Sequence, residues 1–96
     1  MIRSPKHLKF IRSLPCVRCR HGETQAAHIR KGTGGGKAIK PSDKFTVPLC
    51  HSCHDTQHNR GEVSFWGDVE RAVKLAEDLY AVSGNWEKAC GLIVRF

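Results

Sequence analysis

Two Cys-x-x-Cys pairs, Cys16/Cys19 and Cys50/Cys53, constrain this chain more than any other feature. That spacing lets two tight turns present four thiolates tetrahedrally to one Zn²⁺. Disulfides compete for the same cysteines. However, the start Met1-Ile2-Arg3-Ser4-Pro5-Lys6 is too polar for a secretory signal, which points to a reducing cytoplasmic setting where structural disulfides are rare. A single redox Cys-x-x-Cys centre leaves the second pair without a purpose. With 96 residues, the chain is expected to form one domain whose core is small enough to gain from a metal staple. Cys90, far from both pairs, reads as a buried or half-buried thiol.

Charge narrows the function. Residues 1–44 carry eleven Lys/Arg against Glu23 and Asp43, whereas residues 45–96 carry five basic against seven acidic residues. The net charge of +7 is therefore concentrated in one half. A one-sided positive field suits a polyanion, for a soluble protein usually nucleic acid. No apolar run approaches the roughly 18 residues of a membrane span.

Hydrophobic patterning places the pairs on an α+β frame. Ser4-Pro5 followed by Leu8, Ile11 and Leu14 predicts a short basic helix with a serine cap, stopped by Pro15. Residues 24–29 and 45–49 read as two strands, the second confined to an edge or bulge by Pro48. Residues 50–60 are polar but helix-compatible up to Gly61. A longer amphipathic helix from about Asp68 to Ser83 shows Val69, Ala72, Val73, Ala76, Leu79 and Tyr80 on one face. The tail is read as a helical turn and a short strand at Leu92-Ile93-Val94. Phe65 and Trp66, beside that helix, suit the core better than base stacking.

Thirty residues separate Cys19 from Cys50, more than the roughly 15 to 20 of a simple zinc ribbon. The excess holds His28 on the first strand and a basic glycine loop. Directly after the last thiol come His54 and His58, four apart on the expected helix, so that both imidazoles leave one face and can ligate one divalent ion.

The combination resembles the HNH, or ββα-metal, nucleases in their Cys₄-zinc version. It is carried by Cys16-x-x-Cys19, Ala27-His28-Ile29, Pro48-Leu49-Cys50-x-x-Cys53-His54 and His58. The glycine-rich stretch, Lys40-Pro41-Ser42-Asp43 and Phe65-Trp66 are most similar to the Ref-like nucleases of phages and prophages. The resemblance covers residues 10–66, with 67–96 a helical extension. It implies a metal-dependent DNA endonuclease in which His28 is the general base and His54 and His58 hold a catalytic Mg²⁺, Mn²⁺ or Zn²⁺. Cys16, Cys19, Cys50 and Cys53 would hold structural zinc. Ala27 stands where many members carry a further metal ligand, Asp or His. The family's base-orienting Asn has no clear counterpart, and Asp43, fifteen residues after His28, is the nearest candidate for either role.

The loop Gly32-Thr33-Gly34-Gly35-Gly36-Lys37 is not a nucleotide-binding P-loop, because Lys31 stands where the first glycine belongs and Ala38 follows the lysine. With Arg30, Lys31, Lys37, Lys40 and Lys44 around it, it reads as a phosphate clamp with little sequence choice. His7, His21 and His51 read as surface or phosphate-contacting residues, with His21 a reserve zinc ligand. A monomer with one reaction centre is expected to nick duplex DNA. The rival reading is a non-catalytic zinc module that binds DNA or a protein.

Overall fold

Ser4 adopts extended backbone and its hydroxyl accepts the His7 N–H at 3.2 Å, while Pro5 occupies the first helical turn. Helix α1 (Pro5–Arg12) is thereby started by a side-chain cap and a preset φ. The computed structural model describes residues 2–31 and 41–96. Within them follow β1 (Thr24–His28), β2 (Thr46–Cys50), α2 (His51–Arg60), α3 (Glu62–Trp66), α4 (Val69–Ala81) and α5 (Trp86–Arg95). Among the described residues, no helix is long and apolar enough to cross a membrane.

The two strands pair antiparallel, Thr24 opposite Cys50 and His28 opposite Thr46. Pro48 is tolerated because both strands of a two-stranded sheet are edges. Its carbonyl accepts the Val17 N–H at 3.0 Å, which docks the first cysteine turn on β2. On the other strand, the Thr24 hydroxyl donates to Leu14 O at 2.8 Å and so ties the chain after α1 to the ribbon. The core gathers Ile11 and Leu14, Val17, Ala27 and Ile29, Val47 and Leu49, Phe65, and the inner faces of α4 and α5.

Several expectations are corrected. Leu14 is fully buried, but α1 ends at Arg12. His7 is no surface histidine: one turn from Ile11 on the inner face of α1, it is 2% exposed, its Nδ1 hydrogen-bonded to Ser83 Oγ at 2.7 Å. Residues 62–66 form the short helix α3 between Gly61 (φ +85) and Gly67 (φ +75), conformations that favour glycine. On α4 the buried stripe is Ala72, Leu75, Ala76 and Leu79, with Val69, Val73 and Tyr80 only half-buried. The tail holds no strand at residues 92–94. Asn85 caps α5 by accepting the Lys88 N–H, and Ala89 and Ile93, one turn apart, are buried against the core. A cap plus a buried i, i+4 pair outweighs the β-propensity of Ile93 and Val94.

α2 is polar along most of its length and is held by specific contacts. Gln57, 3% exposed, accepts the Trp66 indole N–H on Oε1 at 2.7 Å, which fastens α2 to α3. Trp66 in turn packs edge-on against Phe65 and Phe96. Phe65 also lies beneath the Arg18 guanidinium, which donates to Phe65 O at 2.6 Å.

Candidate functional site

The four paired cysteines converge, their sulfur atoms all lying within 4.8 Å of one another. Cys16 and Cys19 sit on a turn closed by Cys16 N–H to His21 O and Arg20 N–H to Cys16 O, both 2.9 Å. Arg20 takes φ +64 there, the left-handed conformation the turn requires, and its guanidinium donates to Val17 O. Cys50 ends β2 and caps α2, its sulfur facing the Cys53 N–H at 3.5 Å, as Cys16 sulfur faces the Cys19 N–H at 3.5 Å. Thus a backbone turn and a helix N-terminus, both rich in N–H donors, present the sulfurs to one point. Burial opposes ionisation of Cys16, but the amides of Cys19, Cys50 and Arg18 bring its pKa down to about 7. Cys53 moves the other way, pushed up by burial and then by the neighbouring thiols. Crowded thiols cannot all ionise without a countercharge. The cluster is compatible with a structural metal such as zinc. His21 stays outside it and exposed.

At the opposite end of the ribbon lies His28, whose side chain is 17% exposed. Its Nε2 is 2.9 Å from Asp43 Oδ1. Asp43 is 2% exposed, and its Oδ2 accepts the Ser4 N–H at 2.7 Å while Arg3 approaches Oδ1 at 3.5 Å. Burial alone would raise the Asp43 pKa, but the hydrogen bonds from His28 and Ser4 and the charge of Arg3 together hold it below the usual carboxylate range. An ionised Asp43 only accepts, so Nε2 carries the ring proton and the basic lone pair sits on Nδ1. The structure thus joins His28 to Asp43 and spends the carboxylate there.

His54 and His58 stack on α2 with ring centroids 4.9 Å apart. The His54 Nδ1–H donates to Gln25 Oε1 at 2.7 Å, while Gln25 Nε2 reaches His51 Nδ1 at 3.4 Å. That bond fixes the His54 tautomer and leaves Nε2 as its donor atom. The His54 pKa is lowered, first by burial and then by the charge of His58, with His28 close enough to add to it. Among the described residues, the cysteines are the only converging group of three or more His, Cys, Asp or Glu donors, so no third donor of these types joins His54 and His58. Ala27, at the position before His28, is fully buried in the core.

Of the expected phosphate contacts, Arg30 and Lys31 are exposed just beyond His28. Lys44 instead turns towards α4, 3.9 Å from Glu77 and 5.6 Å from the centre of the Phe45 ring. Lys37 and Lys40 lie outside the described residues. Gln25 and Glu62 were not indicated by the sequence. Glu62 takes the backbone N–H of Arg30 and of Lys31 on its two oxygens, at 2.7 and 2.8 Å. Their partners lie some thirty residues away, and no local motif announces such pairs.

Fold and site together define a small α+β protein with a four-cysteine cluster of metal-binding type at one end of a two-stranded ribbon. The chain belongs to the family described as Protein of unknown function (DUF968), whose model matches residues 1–68. That match takes in the cluster, His28, Asp43 and α2, and stops before α4. No curated protein and no solved structure gives a match.

Proposed function

We propose that this protein is a metal-dependent DNA endonuclease of the HNH type, with zinc on Cys16, Cys19, Cys50 and Cys53 as its staple. The observation that carries the reading is the 2.9 Å bond from His28 to a buried, ionised Asp43 beside the paired His54 and His58. A histidine oriented by a carboxylate, with a lone pair on its other nitrogen, is equipped to take a proton from water. Asp43 keeps the tautomer and steadies the imidazolium once the proton has moved. A divalent cation on His54 and His58 would supply charge stabilisation at the pentacovalent phosphorus and at the departing 3′ oxygen. The donor set fits such an ion in part: Gln25 preorients His54, and the cation's remaining positions would fall to water and phosphate oxygens. Arg30 and Lys31 add the positive charge that a DNA backbone needs.

The fully buried Ala27 and the lack, among the described residues, of a third converging donor favour a second reading, a zinc module that binds nucleic acid without cutting it. Nicking of supercoiled plasmid by chelator-treated protein resupplied with Mg²⁺ or Mn²⁺ separates the two. On the enzyme reading, His28→Ala lowers the cleavage rate about 10² to 10⁴-fold, the usual worth of a positioned base, while DNA binding persists. Equal cleavage by the variant and the parent removes His28 from the chemistry. Binding without any metal-dependent cleavage by the parent favours the second reading.

A further inference from the structure

We propose that Glu62 is the positioning residue for the basic segment that follows His28, and that it sets how nucleic-acid phosphate is held relative to the base. The inference rests on the nuclease reading for its phosphate and on geometry for the rest. Regular pairing of β1 ends at His28, and Ile29, fully buried, adds one more bond through its N–H to Phe45 O at 2.9 Å. Beyond it the Arg30 and Lys31 amides have run out of strand. The Glu62 carboxylate takes both, at 2.7 and 2.8 Å, in place of a partner strand.

A carboxylate suits this position for two reasons. Hydrogen bonds to an ionised acceptor are about twice as strong as neutral ones, and two on one rigid group fix direction as well as distance. The negative charge also offsets the mutual repulsion of Arg30 and Lys31, and both bonds run to the main chain.

Glu62 can hold the segment only if α3 is itself fixed. Phe65 is buried at 4% exposure, Arg18 beside Cys19 donates to Phe65 O, and Trp66 is bonded to Gln57 of α2. The short helix is therefore a strut between the cysteine turn, the helix bearing His54 and His58, and the segment carrying Arg30 and Lys31. The phosphate grip and the paired histidines of α2 are thereby referred to one frame.

The test compares the parent with Glu62→Ala and Glu62→Gln, each with its zinc content measured. In the free protein, ¹⁵N-resolved amide exchange at Arg30 and Lys31 is expected to quicken at least ten-fold in Glu62→Ala and less in Glu62→Gln, which keeps one acceptor oxygen. With duplex DNA, Glu62→Ala is expected to raise KM for nicking about three- to ten-fold, with kcat within two-fold and zinc content unchanged. Glu62→Gln should fall between. Unchanged exchange at both amides overturns the proposal whatever the activity. So does tighter DNA binding by Glu62→Ala, which would make the carboxylate a simple repellent. Loss of zinc and of cooperative melting in both variants would assign Glu62 to folding and overturn it as well. If the parent nicks nothing but binds duplex, the nuclease reading falls; the KM comparison is then made on Kd, where equal affinity of variant and parent overturns the proposal.

Discussion

Replacing Asp43 by Asn probes the site at the atom where stability and chemistry meet. The aspartate accepts two hydrogen bonds on separate oxygens, from His28 Nε2 at 2.9 Å and Ser4 N at 2.7 Å, in a side chain 3% exposed. An asparagine has one carbonyl oxygen to serve both. If that oxygen keeps Ser4, the amide NH₂ faces His28 and forces its proton from Nε2 to Nδ1, which removes the basic lone pair from the side proposed for water. If it keeps His28, the NH₂ confronts the Ser4 N–H donor to donor. One bond to a charged acceptor is lost either way, worth about 1.5 to 3 kcal/mol when buried. Taking about 2 kcal/mol, and an unfolding entropy of about 0.2 kcal/mol/K for a chain of this length, Tm should fall by about 10 °C. Arg3 contributes little to this sum, because its side chain is 42% exposed. The tautomer change should cost cleavage far more than stability, as much as about 10⁴-fold where a histidine base is inverted in this way. The sign with pH is also fixed. Asp43 is held below its unfolded value of 3.8, so its contribution is complete above that pH and is lost as pH falls through the lower folded value. Melts followed by circular dichroism should separate parent and Asp43→Asn at pH 7, with the gap narrowing only as pH falls below 3.8, and nicking rates give the second readout. An Asp43→Asn variant that melts with the parent at pH 7 and cuts as fast would refute the account of this bond.

Three further outcomes are expected. Replacing Cys50 and Cys53 together by Ser should release zinc and abolish cooperative unfolding, as read by a colorimetric zinc assay and calorimetry, since both the turn and the start of α2 converge on those sulfurs. His7 has its pKa lowered by burial, opposed by the charge of Asp43, and its Nε2 is buried with no partner among the described residues. Its neutral form therefore favours folding in full above pH 6.5, and stability is lost as pH falls from 6.5 towards the lower folded value; urea midpoints across that range should slope less in His7→Gln. Trp66→Phe should leave Gln57 Oε1 without its donor in a residue 3% exposed and cost about 1 to 3 kcal/mol, measurable as a shift in the urea midpoint.

How much of this was legible beforehand depends on how far each signal travels along the chain. The two strands, α2 and the cysteine cluster were readable because alternation and Cys-x-x-Cys spacing act over a few residues. The meeting of His28 with Asp43 was indicated only by a spacing of fifteen, and Ser4 closes it from the far end of the chain. Helix α3 is too short to show a period. Gln25 and Glu62 look like ordinary polar residues until the fold brings His54 and the Arg30 and Lys31 amides to them. His7 was the avoidable miss: one turn before Ile11 on a helix capped at Ser4, it belonged to the inner face by geometry alone. In the tail, two β-branched residues suggest a strand, whereas the Asn85 cap and the burial of Ala89 and Ile93 make it a helix in the fold.

On the proposed function, the ribbon would also divide the labour between cysteine cluster and histidines. Cys50 stands opposite Thr24 at one end, and His28 stands opposite Thr46 at the other. Four residues at about 3.3 Å separate the two ends by roughly 13 Å. A metal on the cysteines is therefore too far from His28 to touch the same phosphate. α2 begins at the cluster, and His54 reaches Gln25 on β1 while sensing the charge of His28, so the helix runs back along the ribbon. His58 lies eight residues beyond Cys50, about 12 Å along a helix axis, close to the length of the strands. The zinc of the proposed function would fix where that return path begins, and the paired histidines would act where it ends. Changing the metal on the thiolates should then leave the chemistry alone. Protein reloaded with Cd²⁺ at the cysteines, stripped of loosely held ions by a weak chelator and assayed in Mg²⁺, is expected to nick plasmid within about two-fold of the zinc form, since a metal roughly 13 Å from the base makes no contact with the reacting phosphate. A rate that falls ten-fold or more in folded, cadmium-loaded protein would place the cluster inside the reaction and refute this division.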